Sequence, residues 1–311
     1  MTALALLPPR AAPAVAPREE RGRSGTMGSM AAARPDPRRR PIGVFDSGIG
    51  GLTVLHELLV RLPHEDFVYL GDTARFPYGV RDRAELERFS IGIADVLLEA
   101  GAKLLVIACN SATAAALPAL RAHLAASGTG VDVIGVITPE AQVAVVATHN
   151  GRIGLLATPT TVASGAYEAA VAAADPLVRL HSVPCPDLAP LIQSGFPYDQ
   201  RVVDTVRGYC EPLREARVDT VVLGCTHYPL VAPMLERALG RGVSLVTSGA
   251  AVARRVEHAL AARDMDSDRD GEGDYRFLCT GDVESFRGVG TRFLQMPLGE
   301  IVHVDLEAVP A

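Results

Sequence analysis

The sequence contains no apolar run near the roughly 18 residues needed to span a bilayer; its strongest, Leu104 to Ala108, is short and runs into Cys109 and Asn110. The chain reads as soluble. Cysteine is also sparse. The five residues, at 109, 185, 210, 225 and 279, are odd in number and lack the dense, even spacing of a secreted disulfide framework. A reduced, cytoplasmic setting is expected. Cys/His pairs at ligand spacing are missing as well, so a zinc site has no support. Excess positive charge is absent from the body of the chain. The net charge is −6, yet residues 1–40 hold eight Arg against Glu19, Glu20 and Asp36, so the remainder carries −11. A body this acidic is poorly suited to a phosphate backbone, and no nucleic-acid partner is expected.

What is present is enough apolar material for a large core. At 311 residues and 48% hydrophobic, two domains of about 100–150 residues are favoured. Residues 1–40, rich in Pro, Ala, Arg and Gly, are expected to form a disordered extension. From Ile42 onward, short apolar runs alternate with helical patterns. Ile42 to Phe45 predicts a strand, Gly48 to Gly51 a tight turn, and Leu52, Leu55, Leu58 and Leu59 one helix face. A second strand, Phe67 to Leu70, leads into a polar loop over Gly71 to Arg81. Asp82 and Glu85 form a capping-box pattern before a helix that ends at Gly101. Leu104 to Ala108 predicts a fully buried strand. Strands separated by helices imply an α/β fold with a mainly parallel sheet covered on both faces.

The second half echoes the first. Arg152 to Thr158, followed by a helical pattern through Tyr167, resembles Ile42 to Leu59; Thr220 to Gly224 before Cys225 resembles Leu104 to Ala108 before Cys109. The offsets, 111 positions for Gly43 to Gly154 and 116 for Cys109 to Cys225, are similar. Two pseudo-symmetric α/β domains are expected, with the active site at their interface. The first spans 41–138 with a contribution from about 250–311, and the second spans 139–249. The acidic stretch Asp264 to Asp274 predicts an exposed loop before a final strand and helix carrying Phe277, Phe286 and Phe293.

Chemistry concentrates at strand ends. In an open parallel sheet, ligands sit beyond the carboxyl ends of the strands, where Cys109 and Cys225 both fall, each just before a helical segment. A thiol at a helix N-terminus is expected to have a lowered pKa. Either cysteine alone is better read as a small buried hydrophobe; the matched contexts, Asn110-Ser111 after one and Thr226-His227 after the other, reverse that preference in favour of a working pair. Two facing acid/bases are what inversion of a weakly acidic stereocentre requires, one removing the proton and one returning it to the opposite face. Asp46 and Ser47 close the first strand where side chains are expected to point into the cleft. Asp46 is a candidate to relay a proton near one thiol and His227 near the other. A turn cap is the competing role for Asp46, and a structural histidine for His227.

Four segments then show a resemblance to the glutamate racemase family: Val44-Phe-Asp-Ser-Gly-Ile-Gly-Gly-Leu52, Tyr69-Leu-Gly-Asp-Thr-Ala-Arg-Phe-Pro-Tyr-Gly79, Ala108-Cys-Asn-Ser-Ala-Thr-Ala114 and Leu223-Gly-Cys-Thr-His-Tyr-Pro-Leu230. They stand in the family's order, and the likeness runs from about Pro41 to Val304. The resemblance implies a cofactor-independent racemase interconverting L- and D-glutamate for peptidoglycan, using neither pyridoxal phosphate nor metal and working as a homodimer. It implies that Cys109 takes the proton from D-glutamate and Cys225 from L-glutamate, assisted by Asp46 and His227. It further implies substrate contacts at Asp46, Ser47, Tyr78, Gly79, Asn110, Ser111, Thr226 and His227, with Thr158 a further candidate.

Two departures stand inside the likeness. Ser111 replaces the usual Thr, keeping the hydroxyl and losing a methyl contact, and Gly135-Val-Ile-Thr-Pro-Glu140 replaces an Ile-Glu-Pro-Gly-like run, expected to alter a loop near the cleft. Aspartate and hydantoin racemases share the two-cysteine plan. A dinucleotide site is suggested by Gly48-Ile-Gly50, but Thr53 stands where the third glycine belongs. A cysteine hydrolase leaves the second strand-end thiol unexplained.

Overall fold

The apolar runs become strands and the amphipathic stretches between them become helices. The computed structural model describes residues 36–194 and 200–306. In chain order the first half is β1 Ile42–Asp46, α1 Leu52–Arg61, β2 Phe67–Gly71, α2 Arg83–Glu99, β3 Leu104–Ile107, α3 Asn110–Ser127, β4 Asp132–Gly135 and α4 Ile137–Ala147. The second half is β5 Arg152–Ala157, α5 Pro159–Ala163, α6 Ala166–Ala174, β6 Arg179–Pro184, α7 Leu188–Gln193, α8 Gln200–Glu215, β7 Thr220–Gly224, α9 Ala232–Leu239, β8 Ser244–Val246 and α10 Ser248–Ala261. The chain then returns as β9 Tyr275–Cys279, α11 Val283–Leu294 and β10 Ile301–His303. No helix among the described residues is long and apolar enough to cross a membrane.

The strands form two sheets, one of six in the order β10-β9-β2-β1-β3-β4 and one of four in the order β6-β5-β7-β8. All the strand pairings are parallel. The order β2-β1-β3-β4 recurs as β6-β5-β7-β8, so β5 stands for β1 and β7 for β3. Register follows as well. Gly43 pairs with Leu105 and Gly154 with Val221, and in each case a cysteine lies four positions beyond the partner. The likeness between the two halves is thus one of topology and register. β1, β2, β3 and β7 are buried along their whole length, as expected of strands with helices on both faces.

Several expectations are corrected. The helical pattern after Thr158 breaks at Gly165, which takes φ +67° and divides it into α5 and α6. Two strands, not one, follow the acidic loop. Asp82 caps α2 by accepting from the Glu85 N–H at 2.8 Å, but the Glu85 carboxylate turns to Arg81 at 3.2 Å, so only half of the capping box forms. Of the extension expected to be disordered over 1–40, residues 1–35 lie outside the described residues, whereas its last five are held in place. Pro37–Arg39 form a single 3-10 turn; Arg39 pairs with Asp268 at 2.9 Å and Arg40 donates to the Gly101 carbonyl at 2.8 Å. Beneath them lies Lys103, the only lysine in the sequence. Its ammonium group is 2.6 Å from Glu65 and donates to the carbonyls of Arg38 and Met265 at 2.6 and 2.7 Å, with no exposed side-chain surface.

Candidate active site

The cleft lies beyond the carboxyl ends of β1, β3, β5 and β7. The crossovers leave β1 and β3, and likewise β5 and β7, in opposite directions, which opens a crevice at their ends. The cleft is nearly closed, with a cavity volume of about 30 Å³. Ser47, Tyr78, Gly79, Cys109, Asn110 and Ser111 line it from the first sheet; Thr158, Cys225, Thr226 and His227 line it from the second. Ten residues named from the sequence therefore meet at one place.

Asp46 is the exception. It has no exposed surface and sits behind the wall, where its carboxylate accepts from the Gly48 N–H at 3.0 Å and from the Thr226 hydroxyl at 3.4 Å. Asp46 is not itself among the lining residues: the turn after β1 caps its carboxylate, whose other bond is to Thr226 in the cleft lining. Burial raises its pKa, against the pull of backbone N–H groups from Gly51, Gly48 and Ser47. It still reaches the thiols electrostatically, because its charge adds to the proton affinity of both Cys109 and Cys225.

Cys109 is the N-cap of α3, its sulfur accepting from the Ala112 N–H at 3.4 Å. Cys225 has no such helix: a 3-10 turn, Tyr228–Val231, follows it, and α9 begins only at Ala232. The expected lowering of both thiol pKa values is also reversed. Burial pushes Cys109 up to about 12, with Asp46 adding to it and the Ala112 N–H and Ser47 opposing it. Burial likewise takes Cys225 well above its ordinary value, against a backbone hydrogen bond from His227. At pH 7 both thiols hold their protons in this state.

His227 completes the second half of the site. Its Nε2 lies 2.8 Å from Gln193 Oε1 and its Nδ1 lies 3.9 Å from the Cys225 sulfur. An amide oxygen only accepts, so Nε2 carries the proton and Nδ1 is left to face the thiol as an acceptor; the amide orientation is assigned from this bond. Burial holds the imidazole pKa down at about 3, so the ring is neutral. The rings of Phe76 and Phe293 flank it at centroid distances of 5.5 and 5.2 Å. Gln193 lies 34 positions from His227 and in no recognisable motif; Phe76 lies inside the Tyr69 to Gly79 motif and Phe293 in the expected final helix, yet nothing in residue order places either against His227.

Close approach explains two glycines. A Cβ on Gly79 would come within 2.7 Å of Thr158 Cβ and Cγ2, so the loop before α2 seats against the start of α5 only without a side chain. A Cβ on Gly50 would overlap Thr226 and the His227 ring. Ser111 and Thr158 hydroxyls meet at 2.8 Å, joining the two halves of the cleft, so the hydroxyl retained at position 111 has a use. The Tyr78 hydroxyl is committed to the buried Asp72 carboxylate, which leaves the tyrosine ring and backbone to face the cleft. Among the described residues no group of three or more His, Cys, Asp or Glu is arranged to hold a metal ion.

The buried thiols carry a consequence for stability. Cys109, Cys185 and Cys210 are each raised to about 12, and Cys225 is raised too; in the unfolded chain a thiol titrates near 8.5. Between these values the unfolded state binds fewer protons than the folded one, so stability falls as pH rises, by about 1.4 kcal/mol per thiol for each pH unit above roughly 8.5. Urea midpoints are expected to be level from pH 6.5 to 8 and to drop steeply by pH 10. A level midpoint through pH 10 would show that the folded thiols ionise at ordinary values.

The chain is similar to known proteins. Residues 53–256 match the Asp/Glu/hydantoin racemase family. The glutamate racemase of Beutenbergia cavernae is 47% identical over 276 residues, covering 86% of this chain and 93% of that protein. The crystal structure of a glutamate racemase isoform from Bacillus anthracis aligns with a TM-score of 0.81 at 36% identity, over 86% of this chain and 98% of that one. Glutamate racemase from Francisella tularensis, crystallised with D-glutamate, aligns with a TM-score of 0.81 at 31% identity, over 88% and 100% of the two chains. Fold and site thus define an α/β isomerase built from two parallel sheets around a shared cleft. The chain belongs to the Asp/Glu/hydantoin racemase family.

Proposed function

We propose that this protein is a glutamate racemase, interconverting L- and D-glutamate and so supplying D-glutamate for peptidoglycan. One observation carries the mechanism: two thiols stand at register-equivalent ends of β3 and β7 and line the same cleft. With the α-carbon between them, a thiolate on one side takes the α-proton and becomes a thiol. The opposite thiol gives its proton to the other face of the carbanion and becomes a thiolate. Atoms and charge balance, and the enzyme is left in the mirror protonation state, ready for the other enantiomer. Cys109 acts on D-glutamate and Cys225 on L-glutamate. Because both thiols hold protons at rest, one must first be ionised. Neutral His227 Nδ1 faces Cys225 and Asp46 lies behind Cys109, which suits them to that relay. The first turn of α3 offers N–H donors to a substrate carboxylate. Ser47, Tyr78, Gly79, Asn110, Ser111, Thr158, Thr226 and His227 are the contacts proposed for the substrate.

The chemistry of the side chains supports a reaction without pyridoxal phosphate. That cofactor is carried on a lysine amine, and Lys103, the sole lysine, is buried against Glu65 before the first residue of β3, at the end of the strand away from the cleft. Division into domains 41–138 with 250–311 and 139–249, a cytoplasmic location and a homodimer also belong to this proposal; light scattering of the purified protein checks the last.

The deciding experiment is proton NMR of the protein with L-glutamate in D₂O without added cofactor, followed in parallel by circular dichroism. Loss of the α-proton signal together with decay of optical activity to zero is the expected result. No exchange would redirect the search to aspartate or hydantoins.

A further inference from the structure

The departure ending in Glu140 puts a carboxyl in the interior rather than altering a loop. Glu140 lies in the first turn of α4 with no exposed surface. Three donors converge on its Oε2: the Tyr167 hydroxyl from α6 at 2.5 Å, the Ser248 hydroxyl from α10 at 2.8 Å and the Asn110 amide from α3 at 3.3 Å. None of these is charged, and burial takes the Glu140 pKa up to about 8. Oε2 accepts from all three when the carboxyl is ionised, and when it is neutral with its proton on Oε1, the oxygen that no donor reaches.

Its effect falls on Asn110. The Tyr167 hydroxyl gives its only proton to Glu140, so its oxygen can only accept, and it accepts from Asn110 Nδ2 at 2.7 Å. The amide therefore cannot turn over without setting two acceptors against each other. Asn110 Oδ1 is left on the other side, buried and without a partner, on a residue that lines the cleft. A buried acceptor without a partner beside a binding cleft is suited to a ligand donor. In an amino acid that donor is the α-ammonium group, present in both enantiomers.

We propose that Glu140 is a positioning residue which, through Tyr167, locks the Asn110 amide so that Oδ1 is presented to the α-ammonium group of the bound amino acid. This rests on the racemase function proposed above. Because the contact is made equally in the bound and transition states, its loss acts on KM rather than on kcat.

The test uses the full chain with Glu140→Met, which fills similar space without an acceptor, Glu140→Gln, which keeps one, and Tyr167→Phe, which removes the bridging hydroxyl. Glutarate, the same dicarboxylate without the amino group, serves as competitive inhibitor. Glu140→Met and Tyr167→Phe are expected to raise KM for both enantiomers about tenfold, the effect of one hydrogen bond to a charged group, with kcat within about threefold. Glutarate inhibition stays unchanged, and Glu140→Gln restores KM to within about twofold. Unchanged KM in folded Tyr167→Phe, or equal weakening of glutamate and glutarate, overturns the assignment. Tyr167→Phe decides alone if Glu140→Met does not fold. Wild-type protein that fails to racemise glutamate overturns the function itself, a separate result.

Discussion

Replacing either cleft thiol with a hydroxyl, Cys109→Ser or Cys225→Ser, is expected to lower kcat/KM for racemisation by roughly a thousandfold or more, within the range for removing a positioned acid/base. Serine is close in size and its hydroxyl is far less acidic, so the loss is chemical and the fold is expected to survive. Enantiomers have an equilibrium constant of one. Each variant must therefore lose kcat/KM equally in both directions, although each lacks a base for only one of them. Isotope exchange separates the two roles. With Cys225 intact, Cys109→Ser is expected to exchange the α-proton of L-glutamate with D₂O faster than it inverts the centre; Cys225→Ser should show the same preference for D-glutamate. More than a tenth of wild-type racemisation in either variant would rule out the two-thiol mechanism.

Lys103→Ala is expected to cost about 3–5 kcal/mol of stability, the usual penalty for removing one partner of a buried ion pair. Lys103 and Glu65 are 2.6 Å apart with side chains 0% and 4% exposed, and the ammonium group also satisfies the Arg38 and Met265 carbonyls. The substitution leaves the Glu65 carboxylate with only the Ser267 N–H at 2.8 Å and leaves two carbonyls without a partner in the interior. At about 2–4 °C per kcal/mol for chains of 150–250 residues, the thermal midpoint should fall by roughly 10 °C or more. Lys103→Met with Glu65→Leu together should recover part of that loss, since the uncompensated charge is gone. Thermal denaturation by circular dichroism reads both. A shift of under 2 °C for Lys103→Ala would show that solvent reaches the site and that the pair is not a buried one.

Legibility in the sequence tracks burial. β1, β2, β3, β5 and β7 announce themselves as unbroken apolar runs because the interior strands of a parallel sheet are covered on both faces. β6, at an edge, has four partly buried residues between exposed ends and none fully buried, and β8 and β10 are three residues each, too short for a pattern to emerge. Local motifs brought together Cys109, Asn110 and Ser111 on one side and Cys225, Thr226 and His227 on the other. Gln193 and Tyr167 carry no local signal, and Glu140 shows only as a departure from the family's run, since each takes its role from a neighbour distant in the chain. The thiol pKa values were expected in the wrong direction for a related reason: a helix N-terminus can be read from residue order, whereas the burial that outweighs it cannot.

Residue order alone thus settles the α/β class, the repeat that places one thiol at the end of β3 and another at the end of β7, and the absence of any second lysine. These are matters of periodicity, spacing and composition. Which side chains face one another was decided only in three dimensions. There Gly50 lets the first turn lie against His227, Gln193 sets the His227 tautomer, Asp46 is drawn behind the cleft wall, and Glu140 turns Asn110. Each depends on exclusion of water and on contacts between segments far apart in the chain, and those exist only once both sheets have packed.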